Sequence, residues 1–221
     1  MNPFDTEASR YDEWFDSPDG QVIFALEVAC LRGLLRKTVG RWLEVGVGTG
    51  RFAQALGIRE GIDPSSAVLA YASSRGIRTQ LGYGENLPYS ENSFDGVLMV
   101  VTICFLAGPE KAFEECRRVL KEGGRLIVGL VPADSAWGEL YAKKGYKGHH
   151  FYSVARFYTC DQVVSIANAA GFTFDSARSC LFTPPSGPVT DLSIREEVVT
   201  NAGFVALQFT RGNKKTEKED R

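Results

Sequence analysis

The chain has 221 residues, 44% hydrophobic and 24% charged. That composition excludes a disordered chain, a collagen-like repeat and a coiled coil, and it supports one domain with a sizeable core. Its 25 Lys and Arg against 27 Asp and Glu leave a net charge of −2, without the basic block that would track a nucleic-acid backbone.

Met1 to Gly20 carries acids and no apolar core, so no secretory leader is expected. Within it, Ser9 to Phe15 (S-R-Y-D-E-W-F) is expected either as a lid or as a helix packed on the domain. Gln21 to Lys37 spaces Val22, Phe24, Val28, Leu31, Leu34 and Leu35 as an amphipathic helix. A buried strand follows at Arg41 to Val47, a helix at Gly50 to Leu56, and a second strand at Arg59 to Ile62. Asp63-Pro64-Ser65 then opens a helix running through Ala72. Arg78 to Leu81 is a third strand. Phe94 to Ile103 is a fourth, apolar enough for the centre of a parallel sheet. The uncharged run from Gly96 to Pro109 is too short and too Gly-punctuated to cross a membrane. A helix at Pro109 to Leu120, a strand at Arg125 to Val131 and a helix at Thr159 to Ala170 continue the alternation. Phe172 to Leu181 and Phe204 to Arg211 are late strands, with a loop at Thr183 to Pro188.

Strands alternating with helices predict an α/β fold of the Rossmann-like, doubly wound kind. Its sheet is mostly parallel and seven-stranded, with an antiparallel edge hairpin and helices on both faces. The five cysteines (Cys30, Cys104, Cys116, Cys160, Cys180) are odd in number and lack C-x-x-C spacing. They are expected as buried, reduced thiols of a cytoplasmic protein.

The strongest chemical signal is Glu44-Val45-Gly46-Val47-Gly48-Thr49-Gly50, between the first strand and the next helix. Glycines there let the backbone turn tightly and approach a ligand, with helix N–H groups aimed at it. The dinucleotide pattern G-x-G-x-x-G fails, because Arg51 stands where its third glycine belongs, and no Gly-Lys-Ser/Thr follows to make a phosphate-binding loop. Asp63 closes the second strand, where a carboxylate can accept both hydroxyls of a ribose or cap the following helix.

These residues resemble the class I S-adenosylmethionine-dependent methyltransferases, in the branch of the ubiquinone and menaquinone enzymes. The resemblance runs from Trp42 to Val131. It rests on the E-x-G-x-G-x-G loop, Gly61-Ile62-Asp63-Pro64-Ser65, Glu85-Asn86-Leu87-Pro88, Asn92-Ser93-Phe94-Asp95 and Arg118-Val119-Leu120-Lys121-Glu122-Gly123-Gly124. The later Ala170-Gly171-Phe172 is also similar. It implies S-adenosylmethionine as cofactor, with Gly46, Gly48 and Gly50 along its methionine and ribose and Asp63 on the ribose hydroxyls. Tyr83, Gly84 and Glu85 would flank the adenine, and the backbone of Met99 and Val100 would meet the amino acid end. Glu44, Thr49, Pro64, Ser65 and Tyr11 complete the expected cofactor set. Tyr83 stands where relatives carry the Asp that contacts adenine, and Cys104-Phe105 stands where many carry His-His.

The implied activity is methyl transfer to an O, N or C atom of a small molecule by in-line displacement, in which the protein supplies proximity and alignment. The chain lacks the D/N-P-P-Y/F and Pro-Cys motifs of nucleic-acid and glutamine methylation and the clustered thiols of a metal-type enzyme. The expected partner is therefore a small molecule, with no nucleic acid, no membrane and no bound metal. His149 and His150, the two histidines, are candidate general bases. The expected organisation is one domain over 1–211, with a lid segment at 1–37, an aromatic insert over the active site at 132–158 and a disordered tail at 212–221. Two other readings are a non-catalytic cofactor-binding protein and a nicotinamide-dependent oxidoreductase, the latter opposed by Arg51.

Overall fold

The computed structural model describes residues 3–35 and 40–212. The tail expected at 212–221 falls, beyond Gly212, outside the described residues, as do Arg36 and Lys37 at the end of the first long helix. Three N-terminal helices, α1 (Pro3–Thr6), α2 (Ala8–Trp14) and α3 (Pro18–Leu35), lead into the alternating part. It runs β1 (Trp42–Val45), α4 (Arg51–Leu56), β2 (Glu60–Asp63), α5 (Ser66–Ser74), β3 (Arg78–Leu81), β4 (Phe94–Val100), α6 (Pro109–Val119) and β5 (Leu120–Leu130). Then come α7 (Ala136–Tyr146), α8 (Cys160–Ala169), β6 (Phe172–Cys180) and β7 (Phe204–Arg211).

All seven strands join one sheet in the order β3-β2-β1-β4-β5-β7-β6. The first five pair in parallel, and β7 runs antiparallel to both β5 and β6. The expected fold is therefore the one observed. The order reverses direction between β1 and β4, and in open sheets of this kind a crevice opens there beyond the strands' carboxyl ends.

Alternation along the strands builds two cores, one on each face, because successive side chains point opposite ways. Val97 and Met99 pack with Phe113 and Cys116 of α6 and Val163 of α8. Leu98 and Val100 pack on the other face with Leu31 of α3, Phe52 of α4 and Leu69 of α5. Each fully buried Leu, Val or Phe in these layers contributes roughly 1.5–3 kcal/mol. The two faces are thus closed by helices, as central parallel strands require.

Several boundaries differ from expectation; β5 begins at Leu120 rather than Arg125, and others differ for identifiable reasons. β4 ends at Val100, because Val101 adopts a left-handed φ of 49° that no strand continues through. Ile103–Phe105 is a single 3₁₀ turn. The helix after β2 is capped by Ser65, whose hydroxyl accepts from Val68 N–H, so Asp63 is released from capping. The insert at 132–158 is built around a helix, α7, whose Ser135 cap accepts from Gly138 N–H at 3.0 Å. Thr159 and Gln162 close a capping box at the start of α8.

Candidate active site

At the carboxyl ends of β1 and β2, the Gly46–Gly50 loop folds back onto Ile62, whose carbonyl accepts from the N–H groups of Gly46 and Val47 at 2.8 and 3.0 Å. Gly46 has φ 72°, and a Cβ there would lie 2.3 Å from Thr102 Cγ2. Gly48 has φ 51°, and a Cβ there would meet only the Tyr11 ring, at 3.6 Å. Asp63 ties the loop to the next segment: Oδ2 accepts from Gly48 N–H and Oδ1 from Ser65 N–H, both at 2.9 Å. Burial pushes the Asp63 carboxyl above its ordinary value, while those two bonds pull it back. A carboxylate offers roughly four acceptor positions, so lone pairs remain for a ligand's hydroxyls.

A cavity of about 340 Å³ opens at this crevice, within the range of small-molecule sites. Of the expected cofactor residues, Gly46, Gly48, Asp63, Pro64, Tyr83, Gly84, Glu85, Val100 and Tyr11 line it. Met99 does not; it is fully buried in the core. Glu44, Thr49, Gly50 and Ser65 also stand off the cavity wall, buried behind or beneath the loop. Glu44 Oε2 is buried there with no hydrogen-bond partner among the described residues, and burial raises the Glu44 carboxyl well above its usual value. Tyr83 is largely exposed. Glu85 braces the turn after β4, accepting from the N–H groups of Ala107 and Gly108 at 2.9 and 3.1 Å.

Arg51, which breaks the dinucleotide pattern, is a clamp for the N-terminal segment. Its guanidinium binds Asp12 of α2 at 2.8 and 3.0 Å and Asp16 at 2.6 Å. Arg75 adds a second bond to Asp12 at 2.8 Å and one to the Thr49 carbonyl. Burial alone would raise the Asp12 carboxyl, but the bonds from Arg51 and Arg75 outweigh it and hold the group well below the carboxylate range. The network fastens α2 above the glycine loop, which places Tyr11 on the cavity wall. Asp12→Ala is expected to cost about 2–4 kcal/mol, less than a fully buried pair because both guanidiniums keep some water. Urea unfolding of the two proteins measures it. Since the folded carboxyl is depressed, this stabilisation is complete above about pH 4 and fades as pH falls through the lower folded value.

A second cavity, of about 480 Å³, shares Phe4, Tyr11, Val101 and Phe105 with the first as a common wall. Phe105 makes an edge contact with Phe4 at 5.0 Å. The insert supplies the opposite side: Tyr141 stacks on Tyr152 at 4.5 Å, and His149 stacks on Tyr152 at 4.5 Å. Only one of the two candidate bases faces this space. His149 lines the cavity with its Nδ1 buried and unpartnered among the described residues, whereas His150 is exposed and off the wall. Burial, then Lys144, Arg10 and His150, push the His149 imidazole below its ordinary value, so it is neutral at pH 7.

The residue that sequence reasoning missed is Glu27 of α3, buried at 6% exposure in the wall of the second cavity. Its signal was legible: it lies four residues after Ile23 and four before Leu31, on the stripe that the helix turns to the core. Val101 was missed as well. A β-branched residue at φ 49° stores strain of about 1–3 kcal/mol, and it stands between the two cavities.

A doubly wound sheet with a glycine loop and an acidic strand end at its switch point defines a nucleotide-cofactor protein of the α/β class. Residues 43–128 match the family model described as a methyltransferase domain. A solved structure from Thermotoga maritima, described as an S-adenosylmethionine-dependent methyltransferase and possible histamine N-methyltransferase, superposes with a TM-score of 0.87. It is 37% identical over 95% of this chain and 98% of its own. An uncharacterised protein of Methanocaldococcus jannaschii is 38% identical over 94% of this chain and 98% of its length. A malonyl-[acyl-carrier protein] O-methyltransferase of Geobacter sulfurreducens is 33% identical over 60% of this chain and 55% of its own. The chain belongs to the S-adenosylmethionine-dependent methyltransferases, and S-adenosylmethionine is its cofactor. The first cavity fits that group: it offers an acidic acceptor with free lone pairs, and a glycine backbone open towards it.

Proposed function

We propose that this methyltransferase acts on a small molecule held in the 480 Å³ cavity, with the cofactor in the 340 Å³ cavity beside it. The observation that carries the reading is the common wall of Phe4, Tyr11, Val101 and Phe105, which sets the two spaces side by side. Bound there, the cofactor supplies an electrophilic methyl group. Asp63 holds the ribose hydroxyls, the backbone of Gly46, Gly48 and Val100 receives the amino acid end, and Tyr83, Gly84 and Glu85 flank the adenine. Tyr11 and Phe105 exclude water from the meeting point, and His149 takes a proton from an acceptor that arrives protonated. The aromatic lining supports a small organic acceptor. The near-neutral charge and the buried, unpaired cysteines support a cytoplasmic enzyme that does not act on nucleic acid. Among the described residues no helix is long and apolar enough to cross a membrane.

Calorimetric titration tests the reading. S-Adenosylmethionine and S-adenosylhomocysteine are expected to bind in the micromolar range and NADH not at all. Binding that survives the loss of Asp63, Gly48 and Tyr11 alike would place the cofactor elsewhere and overturn the assignment.

A further inference from the structure

The second cavity is mostly apolar, yet one side chain in its wall is out of character. Glu27 is 6% exposed, and no hydrogen-bond or ion-pair partner among the described residues reaches its carboxyl. A carboxyl left bare in an apolar wall is costly to the fold. Replacing it with a neutral residue would relieve that cost, and no contact among the described residues offsets it. Around the same cavity stand the rings of Tyr11, Tyr141, Tyr152 and Phe151. Aromatic rings attract a cation to their negative π faces, and a desolvated cation over such a face gains about 2 kcal/mol or more. The cavity already displays that preference, with Lys144 Nζ lying 5.7 Å from the Tyr141 ring centre.

Resting on the reading of this cavity as the acceptor site, we propose that it takes an organic ammonium ion, an amine carried on a flat apolar body. Glu27 pairs with the charged nitrogen and the tyrosine rings enclose its substituents. Two cationic side chains of the wall, Arg10 and Lys144, do not contradict this. Both are exposed, where water and salt screen them, whereas the Glu27 charge acts in a desolvated space.

Burial pushes the Glu27 carboxyl up to about 8, so in the free protein at pH 7 it is mostly neutral. An entering ammonium ionises it, and one proton passes to the buffer. The groups coupled to Glu27 do not mask this event. The phenols of Tyr11, Tyr141 and Tyr152 are raised by burial, and the Cys180 thiol is raised by its neighbour Cys30 and by burial; all stay neutral at pH 7. Arg10, Glu13 and Lys144 also stand on this wall, and burial lowers the His149 imidazole below its ordinary value. Between pH 6.5 and 8, affinity for a permanent cation should therefore rise by up to tenfold per pH unit.

The test titrates the full chain, saturated with S-adenosylhomocysteine, with 2-phenylethylamine, tryptamine and benzyltrimethylammonium. The comparison ligands are 2-phenylethanol and 3-phenylpropanoate, and the same titrations are run on Glu27→Gln. The wild type should bind at least one cation ten times more tightly than the alcohol and exclude the carboxylate. It should release about one proton per ligand at pH 7, seen as a dependence of the heat on buffer ionisation. Glu27→Gln should lose tenfold or more in cation affinity together with the pH slope and the proton release. Its affinity for S-adenosylhomocysteine should stay within twofold, which also shows that it folds. Equal binding of cation and alcohol, or cation binding unchanged in Glu27→Gln, overturns the proposal while leaving the cofactor site standing. Failure of S-adenosylhomocysteine to bind the wild type would instead remove the reading on which it rests.

Discussion

Asp63→Ala is expected to weaken S-adenosylhomocysteine binding by one to two orders of magnitude and to lower stability at the same time. Both effects follow from the geometry of one carboxylate. Its two oxygens hold the N–H groups of Gly48 and Ser65, and its remaining lone pairs face the 340 Å³ cavity. Ligand hydroxyls that lose a charged acceptor in a desolvated site cost about 1–3 kcal/mol. Two backbone donors left without an acceptor cost a similar amount in the free protein. Asp63→Asn separates the two contributions, since its amide oxygen can still accept one of the backbone bonds. Calorimetry beside thermal unfolding reads both. Because burial raises this carboxyl, wild-type affinity should also fall as pH is lowered toward the raised value, a dependence absent from Asp63→Asn. Unchanged affinity in Asp63→Ala would remove the residue from the cofactor site.

The second large effect divides the glycine loop. Gly46→Ala is expected to cost roughly 2–5 kcal/mol, the sum of a left-handed residue with a side chain and an overpacked contact. The new methyl would sit 2.3 Å from Thr102 Cγ2 and 2.4 Å from its Oγ1. Thr102 has little room to turn, since its hydroxyl bonds the Val100 carbonyl at 3.0 Å. That loss is a large share of the roughly 5–15 kcal/mol that holds an ordinary domain together. Gly48→Ala meets only the Tyr11 ring at 3.6 Å and should fold with a loss of about 1–2 kcal/mol from its positive φ. Its methyl would stand between two walls of the cavity, so cofactor affinity should fall at least tenfold. Thermal unfolding and titration of both variants decide the matter. Equal loss of stability in the two would refute the division of labour between turn and ligand approach.

Much of the fold was legible in the sequence because its signals are local. The glycine loop, the apolar fourth strand and the Pro109 helix each follow from chain geometry and burial over a few residues. Boundaries failed where a single residue departs from its local preference. Val101 is a strand-former held at φ 49°, and only the packing around the switch point makes it turn. The insert hid α7 because its aromatic residues serve the cavity rather than a regular apolar stripe.

By itself the sequence determined the kind of sheet, its mostly parallel strands with an antiparallel edge pair, and the glycine loop and acidic strand end at its carboxyl edge. Periodicity and turn chemistry act between near neighbours and leave few topologies open. Tertiary structure decided which of those residues face a ligand. It set Met99 and Glu44 behind the wall, chose His149 over His150, turned Arg51 into the clamp for α2, and brought a buried carboxyl of α3 among rings from α2, α7 and the turn at Phe151 and Tyr152. Those outcomes depend on contacts between residues far apart in the chain, where burial and charge act through space and no spacing along the sequence records them.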